Sequence, residues 1–403
     1  MRTLRCRASK GIASFIGSIV PASNKQYLFT PGPAPVPPEV LLEMARPMIH
    51  HRTPEFSVVL DSARERMKPL FGTRQEVILL SSSGTGAMEA AVTNLLAPGE
   101  QAIFVNGGKF GERWGKLIAA HGAIAHEVKV EWGRAARPEQ IDDELKAHPD
   151  ARAVFVQASE TSTCAVHPIE AIGEVTKRRD AMLIVDGITS VGVFDQKMDE
   201  WGVDALVTGS QKALMLPPGL GIIALSDRAL DRARAVKTPR YYFDLMRELK
   251  AQRDDHTTAY TPAVSLIHGL NKTLEMILGE GLPRVFARHL LMAEAVRAAT
   301  SALGLKLIAP DNPAPGVTGI LTPEGIDSGK IVRHMRDDLG VSVQGGQDHM
   351  KGKLVRIGHM GYLAPFDMLV AIGAFEMGLK KFGHHFEIGA GVAAVQTRIA
   401  RGI

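Results

Sequence analysis

Seven short apolar runs punctuate the chain between Glu76 and Ser226, and helix-period segments fill several of the gaps between them. The runs are "EVILLS" (76–81), "QAIFVN" (101–106), "AHEVKV" (125–130), "ARAVFVQ" (151–157), "AMLIVDG" (181–187), "DALVTGS" (204–210) and "GIIALS" (221–226). Ala87–Leu96, Glu112–His121 and Ile169–Arg179 have helical spacing. Continuously apolar strands with intervening helices require a mostly parallel sheet covered on both faces. After Pro262 the pattern changes to two long helical stretches, short strands around "VTGILT" and "LVRIG", and a closing helix near 366–383, which reads as a smaller α+β domain. The expected organisation is an N-terminal arm (1–35), a large domain (36–270), a small C-terminal domain (271–385) and a tail (386–403) whose Ala- and Gly-rich sequence carries no signal.

At 403 residues the chain can bury one or two substantial cores. Its 47 Lys+Arg against 43 Asp+Glu leave a formal charge of only +4, with the basic residues scattered, which argues against a nucleic-acid partner. No apolar run approaches the roughly 18 residues of a membrane helix. Two cysteines, Cys6 and Cys164, make neither a disulfide framework nor a Cys-rich metal site, so a reducing, cytoplasmic compartment is expected. Arg2, Arg5, Arg7 and Lys10 precede the apolar "GIASFIGSIV". That start reads as an arm, disordered or packed on a partner subunit, in preference to a targeting segment.

Three positions carry chemistry. "SSSGTGAMEAA" follows the first strand and opens a helix, so its backbone N–H groups and hydroxyls form either an anion site or a capped turn. Asp186 ends the "AMLIVD" strand, at the sheet edge where open α/β sheets bind ligands; it either caps the next turn or pairs with a cationic group. Lys212 lies in "TGSQKALMLPPG", between a core strand and a turn that Pro217, Pro218 and Gly219 keep from being helical. An anion cradle, a strand-end Asp and a Lys at the next strand's exit come in the order that pyridoxal phosphate needs. The lysine forms a Schiff base with the aldehyde, and the carboxylate keeps a proton on the ring nitrogen.

On these stretches, together with "PGPAPVPPEV", "NGGKFGERW", "ETSTCAVHP", "YTPAVSL" and "LVRIGHMG", the chain resembles the class V aminotransferases of fold type I, in particular the alanine–glyoxylate, serine–pyruvate and serine–glyoxylate group. The resemblance spans Phe29 to about Phe382 and implies a homodimeric, pyridoxal 5'-phosphate-dependent transaminase. It implies that Lys212 is the Schiff-base lysine and that Asp186 pairs with the pyridinium. Ser83, Gly84, Thr85 and Gln211 would hold the phosphate, Thr161 would reach the ring's phenolic oxygen, and Phe110 would stack on the ring. Thr261 would contact the neighbouring subunit's phosphate. Arg356 would bind the substrate carboxylate, and the small Pro33 and Ala34 would floor a pocket for small amino acids.

Two departures stand out. Thr258 occupies the place of a phosphate-binding tyrosine found in some relatives, and Cys164 replaces the glycine of the usual "ETSTG". Cys164 is expected to be a packing residue. The implied reaction moves an amino group from alanine or serine to glyoxylate or pyruvate. Alternatives are a 2-aminoethylphosphonate-type transaminase, a lyase such as a desulfurase (disfavoured because the small domain holds no cysteine) and a cofactor-free scaffold. No metal site is expected, and His50, His51 and Arg52 cluster near the substrate entrance that the resemblance implies.

Overall fold

The computed structural model of the protein describes residues 25–402. The basic N-terminal stretch and Cys6 lie outside the described residues. From one edge to the other, the large sheet runs Glu76–Ser81, Leu220–Leu225, Ala205–Gly209, Met182–Asp186, Ala151–Gln157, Gln101–Asn106 and Ile124–Lys129. All seven strands of the sequence reading are present. Leu220–Leu225 runs antiparallel to both its neighbours, and the other six strands of this sheet share one direction. Its connection back to Ala205–Gly209 is a short loop with no crossover helix, and a parallel return needs a crossover of a dozen residues or more. That loop carries Lys212.

Alternation along the strands feeds two layers. One face sends Val77, Leu79, Val154, Val156, Leu183, Val185 and Ile222 against the Pro54–Phe71 and Val264–Glu280 helices. The other sends Ile78, Leu80, Phe155, Ile184, Val207 and Ile223 against the Gly84–Leu95 helix and against Trp114 and Ile118. At roughly 1.5–3 kcal/mol per fully buried aliphatic or aromatic side chain, these two layers are the main stabilising term. The first layer extends through Leu270, Leu274 and Ile277 to Val285.

A second, antiparallel sheet has the order Lys306–Leu307, Val317–Leu321, Leu354–Gly358, Gln344–Gly345. Its core joins Ile320, Val355 and Ile357 to Met292, Val296, Ile331 and Phe375 of the covering helices. Phe29 is buried in the same core, and Tyr27–Leu28 pairs with Val341–Ser342. The start of the arm is therefore stitched to the C-terminal unit.

The tail, whose sequence carries no signal, is helical. Residues Ala390–Gly402 form a helix that packs on the Leu282–Ala302 helix and buries Val395 and Ile399. Its N-terminus is capped from outside: the buried Glu376 carboxylate accepts from Gly389 N, Gly391 N and Val392 N at 2.7, 2.7 and 3.1 Å.

Candidate active site

Asp186 and the Lys212 loop leave the sheet at the same edge because their strands are parallel neighbours, with Asp186 opposite Val207. The loop is tied by Ser210. Its N–H donates to Leu220 O at 3.0 Å, its hydroxyl donates to Pro217 O at 2.7 Å, and Leu220 N donates back to that hydroxyl at 3.2 Å. Lys212 is thereby aimed into a cavity at the sheet edge. Gly84, Thr85, Phe110, Thr161, Asp186 and Gln211 line it from the expected set. Arg113, Ser159, Ile188 and Thr189, which the sequence reading missed, line it as well. In this structure Lys212 Nζ donates to Pro31 O at 2.5 Å.

Burial raises Asp186 to about 6, against the opposing pull of the Ile188 N–H, which donates to Oδ1 at 2.8 Å, and of the Arg113 and Lys212 charges. At neutral pH it stays ionised. Burial lowers Lys212 to about 8; the Asp186 charge works against the shift, and Arg356 and Arg113 add to it. An amine in that range sheds its proton easily enough to act as nucleophile and base.

Arg113 Nη1 donates to Thr85 Oγ1 at 2.9 Å, and its guanidinium lies 4.9 Å from the centre of the Phe110 ring. Both residues sit on the first turn and a half of the Lys109–Ala120 helix, three positions apart and so on one face. That i, i+3 spacing in "KFGER" is the signal that would have found Arg113. Gly84 allows a close approach: a Cβ there would stand 2.5 Å from Ile188 Cδ1. Ser83 is the N-cap of the Gly84–Leu95 helix but is exposed and makes no side-chain cap bond.

Arg356 is buried on the Leu354–Gly358 strand of the second sheet. Its Nε donates to Gly345 O at 3.0 Å and its Nη1 to Thr161 O at 2.9 Å. Those bonds fix the guanidinium plane beside Thr161 and leave Nη2 and the second Nη1 hydrogen for an anion. Ala34 is buried and donates its N–H to Gln211 O at 2.9 Å, while Pro33 is exposed. Lys109 pairs with Glu112 and, at 2.9 Å, with Asp348.

Other expected residues gather elsewhere. Thr261 is exposed and lines an apolar surface hollow with Met48, His50, His51 and Leu266, apart from the Lys212 cavity within one chain. Cys164 is buried beside Ala314 and Val317, with its thiol pushed by burial up to about 12 and its Sγ 3.7 Å from Thr161 O. A thiol held that far from ionisation is inert packing.

Residues 26–362 match the family model described as aminotransferase class-V. The chain belongs to the class V aminotransferases. An L-aspartate–glyoxylate aminotransferase of Paracoccus denitrificans is 39% identical, with 93% of this chain and 96% of that protein covered. A serine–glyoxylate aminotransferase of Methylorubrum extorquens is 36% identical, with 93% and 96% covered. A Synechococcus protein named soluble hydrogenase, small subunit, is 39% identical, with 92% and 97% covered. Among solved structures, pyridoxamine–pyruvate aminotransferase from Mesorhizobium loti superposes with a TM-score of 0.90 at 30% identity, with 94% and 98% covered. The fold is that of the fold type I transferases, and the class V aminotransferase is a pyridoxal 5'-phosphate enzyme that transfers amino groups between amino acids and oxo acids.

The residues present fit that cofactor. Ser159 Oγ and Gln211 Oε1 are buried against the cavity without a hydrogen-bond partner, as polar atoms that face a polar ligand would be. The desolvated Lys212 amine and the ionised Asp186 carboxylate open onto the same space.

Proposed function

We propose that this class V aminotransferase moves the amino group of a small donor, alanine or serine, to glyoxylate or pyruvate, with donor and acceptor using one site in turn. Lys212 and Asp186 are its catalytic pair. Gly84, Thr85 and Gln211, with Ser83 at the helix start, would hold the phosphate; Thr161 would meet the ring's phenolic oxygen and Phe110 its face. The cofactor supplies an aldehyde that takes up amino groups and a ring that draws electrons from the substrate Cα. Lys212 Nζ, unprotonated, would take the proton from that carbon and deliver it to the cofactor's aldehyde-derived carbon, and would carry a proton the other way in the opposite transfer. Asp186 holds a proton at the ring nitrogen. Arg356 receives the α-carboxylate on its two outward nitrogens, and so presents Cα to the lysine. Pro33 and Ala34 keep the neighbouring space small.

The observation that carries the donor choice is where the other cations are engaged. Lys109 is neutralised by Glu112 and Asp348, and Arg113 is directed at Thr85. A second substrate carboxylate would be buried without a partner of its own, which is costly. A donor-by-acceptor panel tests this. Alanine or serine with glyoxylate or pyruvate should exceed glutamate with 2-oxoglutarate by at least about tenfold in kcat/KM, or ~1.4 kcal/mol. Faster turnover of aspartate, 2-oxoglutarate or 2-aminoethylphosphonate would overturn it.

The working unit in this reading is a homodimer with Thr261 facing the partner's phosphate site. Met48 supports it: this large apolar side chain lines the Thr261 hollow and is 69% exposed. An active monomer in sedimentation at assay dilution would contradict it. No described helix is long and apolar enough to cross a membrane. The buried, free Cys164 is in keeping with a reducing cytoplasm, and fractionation of the native host is the check.

A further inference from the structure

The Lys109–Ala120 helix has Gly108 at its N-cap, which offers no side chain to the N–H groups of the first turn. Those groups are taken from another part of the chain. Lys109 N donates to Ser162 Oγ at 3.0 Å, and Phe110 N and Gly111 N donate to Glu160 Oε2 at 3.2 and 2.9 Å. The same oxygen accepts from Gln157 Nε2 at 3.0 Å. The other oxygen accepts from Ser162 N at 3.0 Å and from Ser162 Oγ at 2.5 Å. Glu160 has no exposed surface at all. Gly108 makes room for it: a Cβ there would stand 2.6 Å from Glu160 Cδ and 2.7 Å from its Cγ.

Burying a carboxylate is costly, and a serine or aspartate at the N-cap would satisfy the same helix more cheaply. What a carboxylate reaching in from outside adds is a rigid link between two pieces of chain. Five donors and the positive end of the helix converge on it, and charge-assisted bonds of this kind are the strong ones. On one side of the link are Phe110 and Arg113, which line the cavity. On the other is Thr161, the next residue after Glu160, which lines the cavity and holds Arg356 through its carbonyl. Glu160 itself does not line the cavity.

We propose that Glu160 is a positioning residue of the cofactor site: its carboxylate locks the first turn of the Lys109–Ala120 helix to residues 160–162 and so sets the spacing of Phe110 and Arg113 from Thr161. The inference rests on the reading of the Lys212 cavity as the pyridoxal 5'-phosphate site. Either orientation of an amide at position 160 turns an N–H group toward at least two donors, so Glu160→Gln keeps the shape and breaks the lock. Glu376 provides the control. It caps the Ala390–Gly402 helix in the same way, from a region that contributes nothing to the cavity.

The experiment compares wild type, Glu160→Gln, Ser162→Ala and Glu376→Gln. Each is stripped and titrated with pyridoxal 5'-phosphate, then measured by visible-region circular dichroism per bound cofactor and by thermal melting. Borohydride reduction and peptide mapping of the wild type come first. A label on any residue other than Lys212 removes the cavity reading and this proposal with it. With the label on Lys212, Glu160→Gln should bind the cofactor at least tenfold more weakly, with a reduced or altered dichroic band. Ser162→Ala, the milder change, should move both readouts the same way by two- to threefold, and it decides the matter if Glu160→Gln does not fold. Glu376→Gln should lower the melting temperature with neither readout moved. Wild-type affinity and dichroism in the folded Glu160 and Ser162 variants, or equal shifts in Glu376→Gln, would overturn the proposal.

Discussion

Arg356 Nη1 donates to the carbonyl oxygen of Thr161 at 2.9 Å, across 195 residues of chain. The bond fastens a strand of the C-terminal sheet to the segment that lines the Lys212 cavity. With the second tether to Gly345 O, it means that the guanidinium is oriented before any substrate arrives. Preorientation of a planar fork is what distinguishes arginine from lysine.

Arg356→Lys should therefore raise KM for the amino donor and for the oxo acid together, by roughly tenfold or more, since one fork of hydrogen bonds to a charged group is worth about 1.5–3 kcal/mol. A point charge on a flexible stem reaches neither tether in the same plane. Steady-state kinetics on both half-reactions is the check. An effect on one substrate alone would show that the two carboxylates are read by different residues.

Lys212 should capture cofactor with a pH profile unlike that of an ordinary lysine. With its amine at about 8, the rate constant for pyridoxal 5'-phosphate uptake by the stripped enzyme should climb about tenfold per pH unit below 8 and flatten above it. The same shift sets the sign of a stability effect. Between pH 8 and 10.5 the folded stripped protein binds fewer protons at this site than the unfolded chain, so this site stabilises the fold progressively as pH rises through that window. Stopped-flow uptake that keeps rising through pH 10 would mean a solvated amine.

Asp186→Asn should keep the fold and lose at least about ten- to hundredfold in kcat, because a charged hydrogen bond is worth ~1.5–3 kcal/mol at ~1.4 kcal/mol per decade. The asparagine can still accept from Ile188 N, so the turn it caps should survive. Unchanged melting with collapsed turnover is the expected pair of results. Near-normal turnover would reduce Asp186 to a cap.

What could be read in the chain beforehand was what local pattern dictates. The central strands were visible because strands of a covered sheet are apolar throughout, as "MLIVD" and "LGIIAL" are, both buried at every position. Lys212 and Asp186 were visible because both follow such strands. The relations that cross the chain were not. Glu160 caps a helix about fifty residues upstream, a contact that leaves no periodic trace near either end. Ser159 matters only because it is an orphaned hydroxyl in a shared cavity, and orphaning is a property of three-dimensional surroundings. The Ala390–Gly402 helix was hidden by composition: Val395 and Ile399, its two fully buried aliphatic side chains, stand among Ala and Gly, and its cap is supplied by Glu376.

The Ser210 knot around the Lys212 loop has a consequence for how the protein ages and fails. The amides of Ser210, Leu216 and Leu220 are all bonded within the turn, and the strands on either side of it are buried throughout. Segments of that kind exchange their amide hydrogens only when a whole cooperative unit opens, unlike surface loops that breathe on their own. Lys212, the Schiff-base lysine of the proposed function, should thus ride on a stretch of backbone that opens only with the sheet. Heat or denaturant should leave the amine in register until the sheet itself gives way, so that loss of turnover and loss of the fold coincide.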